Sequence, residues 1–223
     1  MRTSRELKII SKLHLSTKRD YLERMINRKI KCMKIAKRYD KNYWDGKRDY
    51  GYGGYKYIKN RWTPVAKSLI KKYRLTNNSN ILDVGCGKGF LLYEIKKILP
   101  KIRITGIDLS RYAIKNSKKE IKKYLNVFDI RNNLPYKKNY FDLAFSINTL
   151  HNLELNYLMN SIKQIIKVSK KSYICVESYR NENELFNLQC WALTCETFLS
   201  KKEWVWLYKF LNYDRDFEFI YFS

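Results

Sequence analysis

The feature that most constrains the fold is a regular alternation of short apolar runs and helical segments between residues 80 and 222. Runs typical of buried strands occupy residues 81–84, 103–109, 125–130, 141–148, 173–177 and 217–222. Helical periodicity occurs between them, at 90–99, 110–123, 154–168 and about 200–212, where Ser200 and Glu203 form a capping box. Strands separated by helices of about 10–15 residues form parallel β-α-β units. The sequence therefore predicts an α/β fold with a doubly wound, mostly parallel sheet of six or seven strands.

Residues 1–60 have a different pattern, which predicts an N-terminal helical extension. Apolar residues recur at helical spacing between 21 and 33, and Thr17 with Asp20 predicts a capping box at the start of that helix. The segment from Tyr43 to Tyr57 contains four glycines among its aromatic residues, which favours a loop over a regular element. We interpret residues 1–60 as a helical and aromatic lid, followed by one domain over residues 61–223.

Composition excludes several classes of protein. No apolar run approaches the roughly 18 residues of a membrane span, and the N-terminal 20 residues lack the apolar stretch of a secretory signal, so we expect a cytoplasmic protein. The five cysteines form no C-x-x-C pair and the only histidines are His14 and His151, so we expect no metal site. The oligomeric state is not indicated.

The net charge of +25 has two explanations. Lysine, asparagine, isoleucine and tyrosine are all abundant, as an A/T-rich coding sequence would produce, and the basic residues are spread along the whole chain. Attraction to an anionic partner such as a nucleic acid explains the same charge. Both explanations stay open at this stage.

The sharpest motif is LDVGCGKG at residues 82–89, between the first strand and the first helix of the domain. Glycines at such a turn let the backbone approach a ligand closely. A dinucleotide site would need a third glycine where Phe90 stands. The acidic Asp83 is also awkward beside a pyrophosphate, but it suits a cationic ligand. The motif therefore indicates a cofactor other than a dinucleotide.

The sequence DVGCGKG, followed about 20 residues later by GIDLS at 106–110, resembles the class I Rossmann-like S-adenosylmethionine-dependent methyltransferases, in their small-molecule (type 11-like) branch. The resemblance implies S-adenosyl-L-methionine as cofactor. It also implies that the glycine loop lies under the methionine portion, that Asp108 holds the ribose hydroxyls and that Asp129 meets the adenine. The implied cofactor-binding residues are Asp83, Gly85, Cys86, Gly87, Gly89, Asp108, Leu109, Asp129, Ile130 and Asn148. The alternatives are a helix-capping role for Asp108 and a turn role for Asp129.

The acceptor site is expected where the chain leaves strands four and five. The sequence TLHNL at 149–153 is similar to the L-H-H-L exit of small-molecule members, and it differs from the D/N-P-P-Y exit of amino-methylating DNA enzymes. His151 is a candidate general base or, alternatively, a helix-start histidine. Glu177 and Arg180 are candidates to hold a polar acceptor or, alternatively, to form a surface ion pair.

Five aromatic rings before the domain are candidates to cover the sulfonium by cation–π contact: Tyr50, Tyr52, Tyr55, Tyr57 and Trp62. Alternatively, they pack the N-terminal helix onto the sheet.

The resemblance implies methyl transfer to an O- or N-nucleophile, and we expect the acceptor to be a small polar metabolite, sugar-like for example. One alternative is an RNA- or nucleotide-modifying methyltransferase. Another is a non-catalytic cofactor-binding subunit that supports a partner protein.

Overall fold

The computed structural model describes residues 5–15, 19–53 and 55–223. Within these ranges six strands form one sheet in the order β3-β2-β1-β4-β5-β6, with all neighbouring strands parallel. The strands are β1 (Asn80–Val84), β2 (Arg103–Asp108), β3 (Leu125–Val127), β4 (Leu143–Ile147), β5 (Ser172–Glu177) and β6 (Asp216–Ile220). The strand order reverses between β1 and β4, and ligands of such sheets bind at the carboxyl ends beside this switch point. The predicted α/β fold with a doubly wound parallel sheet is confirmed.

The helices divide into two groups. The N-terminal group is α1 (Ser11–Leu15), α2 (Tyr21–Ile26), α3 (Lys29–Ala36) and α4 (Lys41–Asp45). The second group is α5 (Thr63–Tyr73), α6 (Phe90–Ile98), α7 (Arg111–Lys115), α8 (Leu155–Val168), α9 (Glu182–Trp191) and α10 (Lys201–Phe210). The predicted capping box begins α10, because the Ser200 hydroxyl accepts from the Glu203 N–H while the Glu203 carboxylate accepts from the Ser200 N–H.

Several elements differ from the prediction for local reasons. Helix α7 ends at Lys115 rather than near residue 123, because the Asn116 amide and the Ser117 hydroxyl donate to carbonyls of the preceding turn. Helix α9 was not predicted, although Asn181 caps it by accepting from the Glu184 N–H. Helix α5 was not predicted either, and α4 with a 3-10 turn at Arg48–Tyr50 occupies part of the expected aromatic loop.

The N-terminal group is not one continuous helix. Arg28 and Tyr39 both have a φ of 49°, and a residue in this left-handed conformation interrupts the helical path. Thr17 lies outside the described residues. Asp20 caps α2 by itself, accepting from the Glu23 N–H at 2.9 Å.

The core consists of two apolar layers, one on each face of the sheet. Alternate residues of a strand enter opposite layers: in β5, Tyr173 and Cys175 join one layer, and Ile174 and Val176 join the other. Helices α5, α6 and α9 contribute to the first layer, and α8 and α10 to the second. Within the described ranges, no helix combines the length and the apolar character that crossing a bilayer requires.

The N-terminal extension is attached to the sheet at its β6 edge. The buried Glu218 carboxylate accepts backbone N–H groups from Ile9, Ile10 and Ser11 at 2.6, 2.8 and 2.7 Å. It also accepts from the Tyr173 hydroxyl at 2.6 Å. Three amide donors on one carboxylate fix the start of α1 against the β6 edge of the sheet.

Candidate active site

The glycine loop turns directly after β1. Gly85 and Cys86 both donate their N–H groups to the Ile107 carbonyl, at 2.8 and 3.0 Å. Gly85 has a φ of +81°, and a Cβ at this position would lie 2.0 Å from the Thr149 Oγ1. A Cβ on Gly87, where φ is +55°, would lie 2.8 Å from the Trp44 ring. Glycine is therefore required for both the conformation and the space of this loop.

Gly89 has a different role from the one expected. It is the residue before α6, in the left-handed conformation, and a Cβ there would meet the Ile121 and Leu125 side chains. It does not belong to the residues that line the cavity described below. We therefore assign Gly89 to helix packing rather than to the cofactor-facing part of the loop.

Asp108 ends β2 beside the glycine loop. Its carboxylate accepts from the Gly87 N–H and from the Ser110 N–H, each at 2.8 Å. Burial raises the pKa of Asp108, and these two hydrogen bonds partly oppose that rise. A carboxylate has about four acceptor positions, so two stay available for ligand hydroxyls while the other two order the loop. The expected ribose contact and the alternative capping role are thus compatible.

Asp83 and Cys86 lie on either side of Gly85, at the end of β1 and in the glycine loop. Asp83 is only 4% exposed, and burial, followed by the charge of Asp108, raises its pKa well above the ordinary range. Burial of this kind favours the neutral form of the carboxyl. The pKa of the Cys86 thiol is also raised, chiefly by burial, so Cys86 is not a thiolate nucleophile.

Asp129 lies at the end of the cavity where the resemblance implies the adenine. It accepts from the Arg131 guanidinium through both carboxylate oxygens, and this pairing is the largest cause of the lowering of its pKa. Ile130 is buried beside it, whereas Leu109 is 46% exposed. The ion pair leaves Asp129 less acceptor capacity for an adenine amino group than the sequence suggested.

His151 and Glu177 meet at the ends of β4 and β5. The Glu177 N–H donates to His151 Nδ1 at 3.3 Å, so the ring proton is on Nε2, which lies 3.4 Å from Glu177 Oε2. This second contact does not satisfy hydrogen-bond geometry, and Oε2 has no hydrogen-bond partner among the described residues. Burial lowers the pKa of His151 to about 3. Burial raises the pKa of Glu177 to about 7, against the opposing charges of Arg19 and Arg24.

Arg180 lies apart from this pair. Its guanidinium forms an ion pair with Glu184 and lies 4.2 Å from the centre of the Tyr221 ring, with about half of its side chain exposed. It is absent from the cavity lining. The alternative role of a surface ion pair therefore describes Arg180 better than acceptor binding does.

A cavity of about 550 Å³ connects the glycine loop with the His151–Glu177 pair. This volume falls within the usual range of small-molecule sites. Eleven of the predicted residues line it: Asp83, Gly85, Cys86, Gly87, Asp108, Leu109, Asp129, Ile130, Asn148, His151 and Glu177. Among the described residues, no group of three or more His, Cys, Asp or Glu side chains is arranged to hold a metal ion.

The N-terminal extension covers this cavity. Trp44 Nε1 donates to Ser110 Oγ at 2.8 Å, and Lys88 Nζ donates to both Asp45 oxygens at 2.7 and 2.8 Å. Tyr52, Tyr55 and Trp62 line the cavity, as do Tyr39, Tyr43 and Trp44, whereas Tyr50 and Tyr57 do not. Tyr57 instead donates to Glu94.

Sequence reasoning missed several lining residues. His14, Arg19 and Arg48 come from the extension, and Trp191 ends α9. The cap formed by Asn181 and Glu184 was a usable signal for α9. No short-range signal indicated that Arg19 and Arg48 would reach the cavity, because contacts between the extension and the domain are distant along the chain.

A sequence model of a family of methyltransferase domains matches residues 75–212. The chain belongs to this methyltransferase family. S-adenosylmethionine is its cofactor. The glycine loop, which has no side chain at Gly85 or Gly87, and the two acceptor positions of Asp108 that stay available both fit this ligand.

The curated relatives of this chain carry the names of different activities. It is 32% identical over 117 residues to the mouse mitochondrial arginine-hydroxylase NDUFAF5, covering 52% of the chain and 33% of that protein. It is 32% identical over 150 residues to the Arabidopsis thaliana tRNA (carboxymethyluridine(34)-5-O)-methyltransferase, covering 65% and 34%. It is 29% identical over 93 residues to the malonyl-[acyl-carrier protein] O-methyltransferase of Legionella pneumophila, covering 40% and 33%. The chain thus spans about a third of the length of these relatives.

Solved structures share the fold of the methyltransferase. The cyclase SpnF superposes with a TM-score of 0.53 at 18% identity, covering 76% of this chain and 61% of SpnF. The YcgJ protein of Bacillus subtilis superposes with a TM-score of 0.51 at 14% identity, covering 66% of each chain.

Proposed function

We propose that this protein transfers a methyl group from S-adenosylmethionine to an O- or N-nucleophile of a small polar metabolite. The observation that carries the proposal is the cavity in which the glycine loop and Asp108 face a buried Glu177–His151 pair. S-adenosylmethionine, when bound, supplies an activated methyl group on a positively charged sulfur. The protein's own residues then have to align the acceptor, exclude water and accept a proton.

We assign proton acceptance to Glu177. Its pKa of about 7 is close to the operating pH, where a general base is most effective. This assignment differs from the sequence-based hypothesis that His151 is the base. The Nδ1 lone pair of His151 already accepts from the Glu177 N–H, and its pKa of about 3 makes it a weak base. His151 is instead a positioning residue, because its Nδ1 accepts from the Glu177 N–H and its Nε2 lies 3.4 Å from Glu177 Oε2.

We assign alignment and water exclusion to the extension. Residues 1–60 act as a lid, because Trp44 and Asp45 tie α4 to the glycine loop and to the start of α7. Alignment of two reactants in a closed site can contribute up to about 7–11 kcal/mol to catalysis.

An RNA acceptor is the second candidate. The tRNA-modifying relative and the net charge of +25 favour it. An RNA complex that depends on phosphate contacts weakens steeply with salt, with a logarithmic slope of about −0.7 per contact on single strands.

The experiment supplies methyl-labelled S-adenosylmethionine together with either a pool of dialysable metabolites or bulk tRNA. We expect label in the metabolite fraction. Glu177→Gln should lower kcat by about 10²–10⁴-fold without changing the affinity for S-adenosylhomocysteine. The wild-type rate should rise with pH through about 7, because the ionised carboxylate is the active form.

The matched control is Glu120→Gln, the same change at an exposed glutamate. If only the tRNA is labelled, the acceptor is RNA and not a small metabolite. An unaltered rate and pH profile in Glu177→Gln would remove the proposed base.

A further inference from the structure

Three arginines surround the indole ring of Trp191. The guanidinium carbons of Arg24, Arg48 and Arg19 lie 4.3, 5.1 and 5.3 Å from the ring centre. Each cation is attracted to the aromatic face, but cations so close together also repel one another. The charge of Arg48 contributes to lowering the pKa of Arg24, and that of Arg19 to lowering the pKa of Arg48, although burial is the largest cause for both.

Two of the three guanidinium groups, those of Arg24 and Arg48, have no carboxylate within 4.0 Å among the described residues. Arg24 is a structural anchor, because it donates to the carbonyls of Trp191, Arg48 and Gly51. Glu177 acts electrostatically on Arg19, and its pKa of about 7 means that this carboxyl is only partly ionised at neutral pH.

The cluster opens into the cavity at the end that would hold the acceptor. Arg19, Arg48 and Trp191 all line the cavity, together with Glu177. Glu177 is 9% exposed, and its buried Oε2 has no hydrogen-bond partner among the described residues. The acids Asp108 and Asp129 contribute to the cofactor end of the same cavity. A ligand that extends from the glycine loop toward Trp191 therefore reaches the guanidinium groups of Arg19 and Arg48 beside Glu177.

We propose that the methyl acceptor carries an anionic group, a carboxylate or a phosphate, which binds Arg19 and Arg48 beside Trp191. This inference rests on the proposed function and specifies its substrate class. The guanidinium fork matches two oxygens of either anion, and an anion here removes the repulsion between the arginines. The nucleophile of the same molecule is then held near Glu177.

The test uses calorimetry on protein saturated with S-adenosylhomocysteine. The probes are malonate, inorganic phosphate and malonamide, which is the uncharged counterpart of malonate. The variants are Arg48→Met, which removes the charge, and Arg48→Lys, which keeps it. Arg48 is exposed, and among the described residues its side chain donates only to the Gly51 carbonyl, so both variants should fold. The control is Arg103→Met, the same change at an exposed arginine. Arg103 begins β2 and so lies at the amino-terminal end of the strands, whereas the cavity lies at their carboxyl ends.

We expect malonate or phosphate to bind the wild type at concentrations up to about 10 mM, and malonamide not to bind. The more tightly bound anion identifies the chemistry of the acceptor group. Arg48→Met should weaken anion binding by about 10- to 100-fold, Arg48→Lys by less, and Arg103→Met not at all. Affinity for S-adenosylhomocysteine should be equal in all four proteins.

Three results of the anion titrations would overturn the inference. These are the absence of anion binding to the wild type, equal anion affinity in Arg48→Met, and binding of malonamide as tight as that of malonate. Loss of S-adenosylhomocysteine affinity in Arg48→Met would also overturn it, since the arginine would then hold the carboxylate of the cofactor. If the wild type fails to bind S-adenosylhomocysteine, the proposed function fails, and the same anion titrations on the ligand-free protein still test the arginine cluster.

Discussion

Replacing Glu177 by glutamine should make the folded protein more stable at alkaline pH. Glu177 is buried, and its pKa is raised from the ordinary 4.5 to about 7. Between these two values the folded state holds a proton that the unfolded state has released. The free energy of unfolding of the wild type therefore falls as pH rises through this window, and the loss is complete above pH 7.

The size of the effect follows from the same pKa values. Each pKa unit corresponds to about 1.4 kcal/mol, so the ionised Glu177 carboxylate costs the folded state roughly 3 kcal/mol at pH 8. Glutamine has nearly the same shape and does not ionise. Since Oε2 makes no hydrogen bond among the described residues, the substitution loses little in exchange. The variant and the wild type should therefore be about equally stable near pH 4.5 and diverge above it.

The assay is urea unfolding of both proteins between pH 4.5 and 8.5, with Glu120→Gln as the exposed control. We expect the difference in unfolding free energy between Glu177→Gln and wild type to grow with pH and to level off above pH 7. Glu120→Gln should show no such growth. A difference that stays constant across this range, or a Glu177→Gln protein less stable than wild type at pH 8, would refute the argument from burial.

Two further predictions concern the cofactor end of the cavity. Asp108→Ala should lower the affinity for S-adenosylhomocysteine by about 30- to 1000-fold in calorimetry, because two charge-assisted hydrogen bonds to the ribose are lost; equal affinity in the variant would contradict the ribose contact. Gly85→Ala should lower the free energy of unfolding by at least about 1–2 kcal/mol, because the backbone is left-handed and the new Cβ meets Thr149. A wild-type urea midpoint and cofactor affinity in Gly85→Ala would show that the loop can rearrange.

The parts of the fold that were predicted correctly have strong short-range signals. Residues 81–84 and 173–177 are short, mostly apolar runs that form buried strands, and the capping box at Ser200 fixes the start of α10. The error at residues 110–123 arose because Asn116 and Ser117 have side chains that compete for the helix carbonyls. Periodicity alone does not reveal that competition.

The cofactor end of the cavity was more predictable than the acceptor end for the same reason. Gly85, Gly87 and Asp108 lie within 24 residues of one another along the chain, on two neighbouring strands. The acceptor end instead joins Arg19 to Trp191, which are brought together only when the extension docks on the sheet through Glu218. Glu218 lies between two phenylalanines of β6, and nothing in its local sequence indicates that it accepts three amide groups from residues 9–11.

The location of the basic residues says more about function than the net charge does. A net charge of +25 allows both a compositional and a functional explanation, because a total does not distinguish solvated lysines from confined arginines. Most lysines of the chain are exposed, where a cation costs little and specifies little. The guanidinium carbons of Arg24 and Arg48 lie 4.3 and 5.1 Å from the centre of one indole ring, and holding like charges this close together is unfavourable without an anion. The arginine cluster is therefore the part of the excess charge that requires a functional explanation.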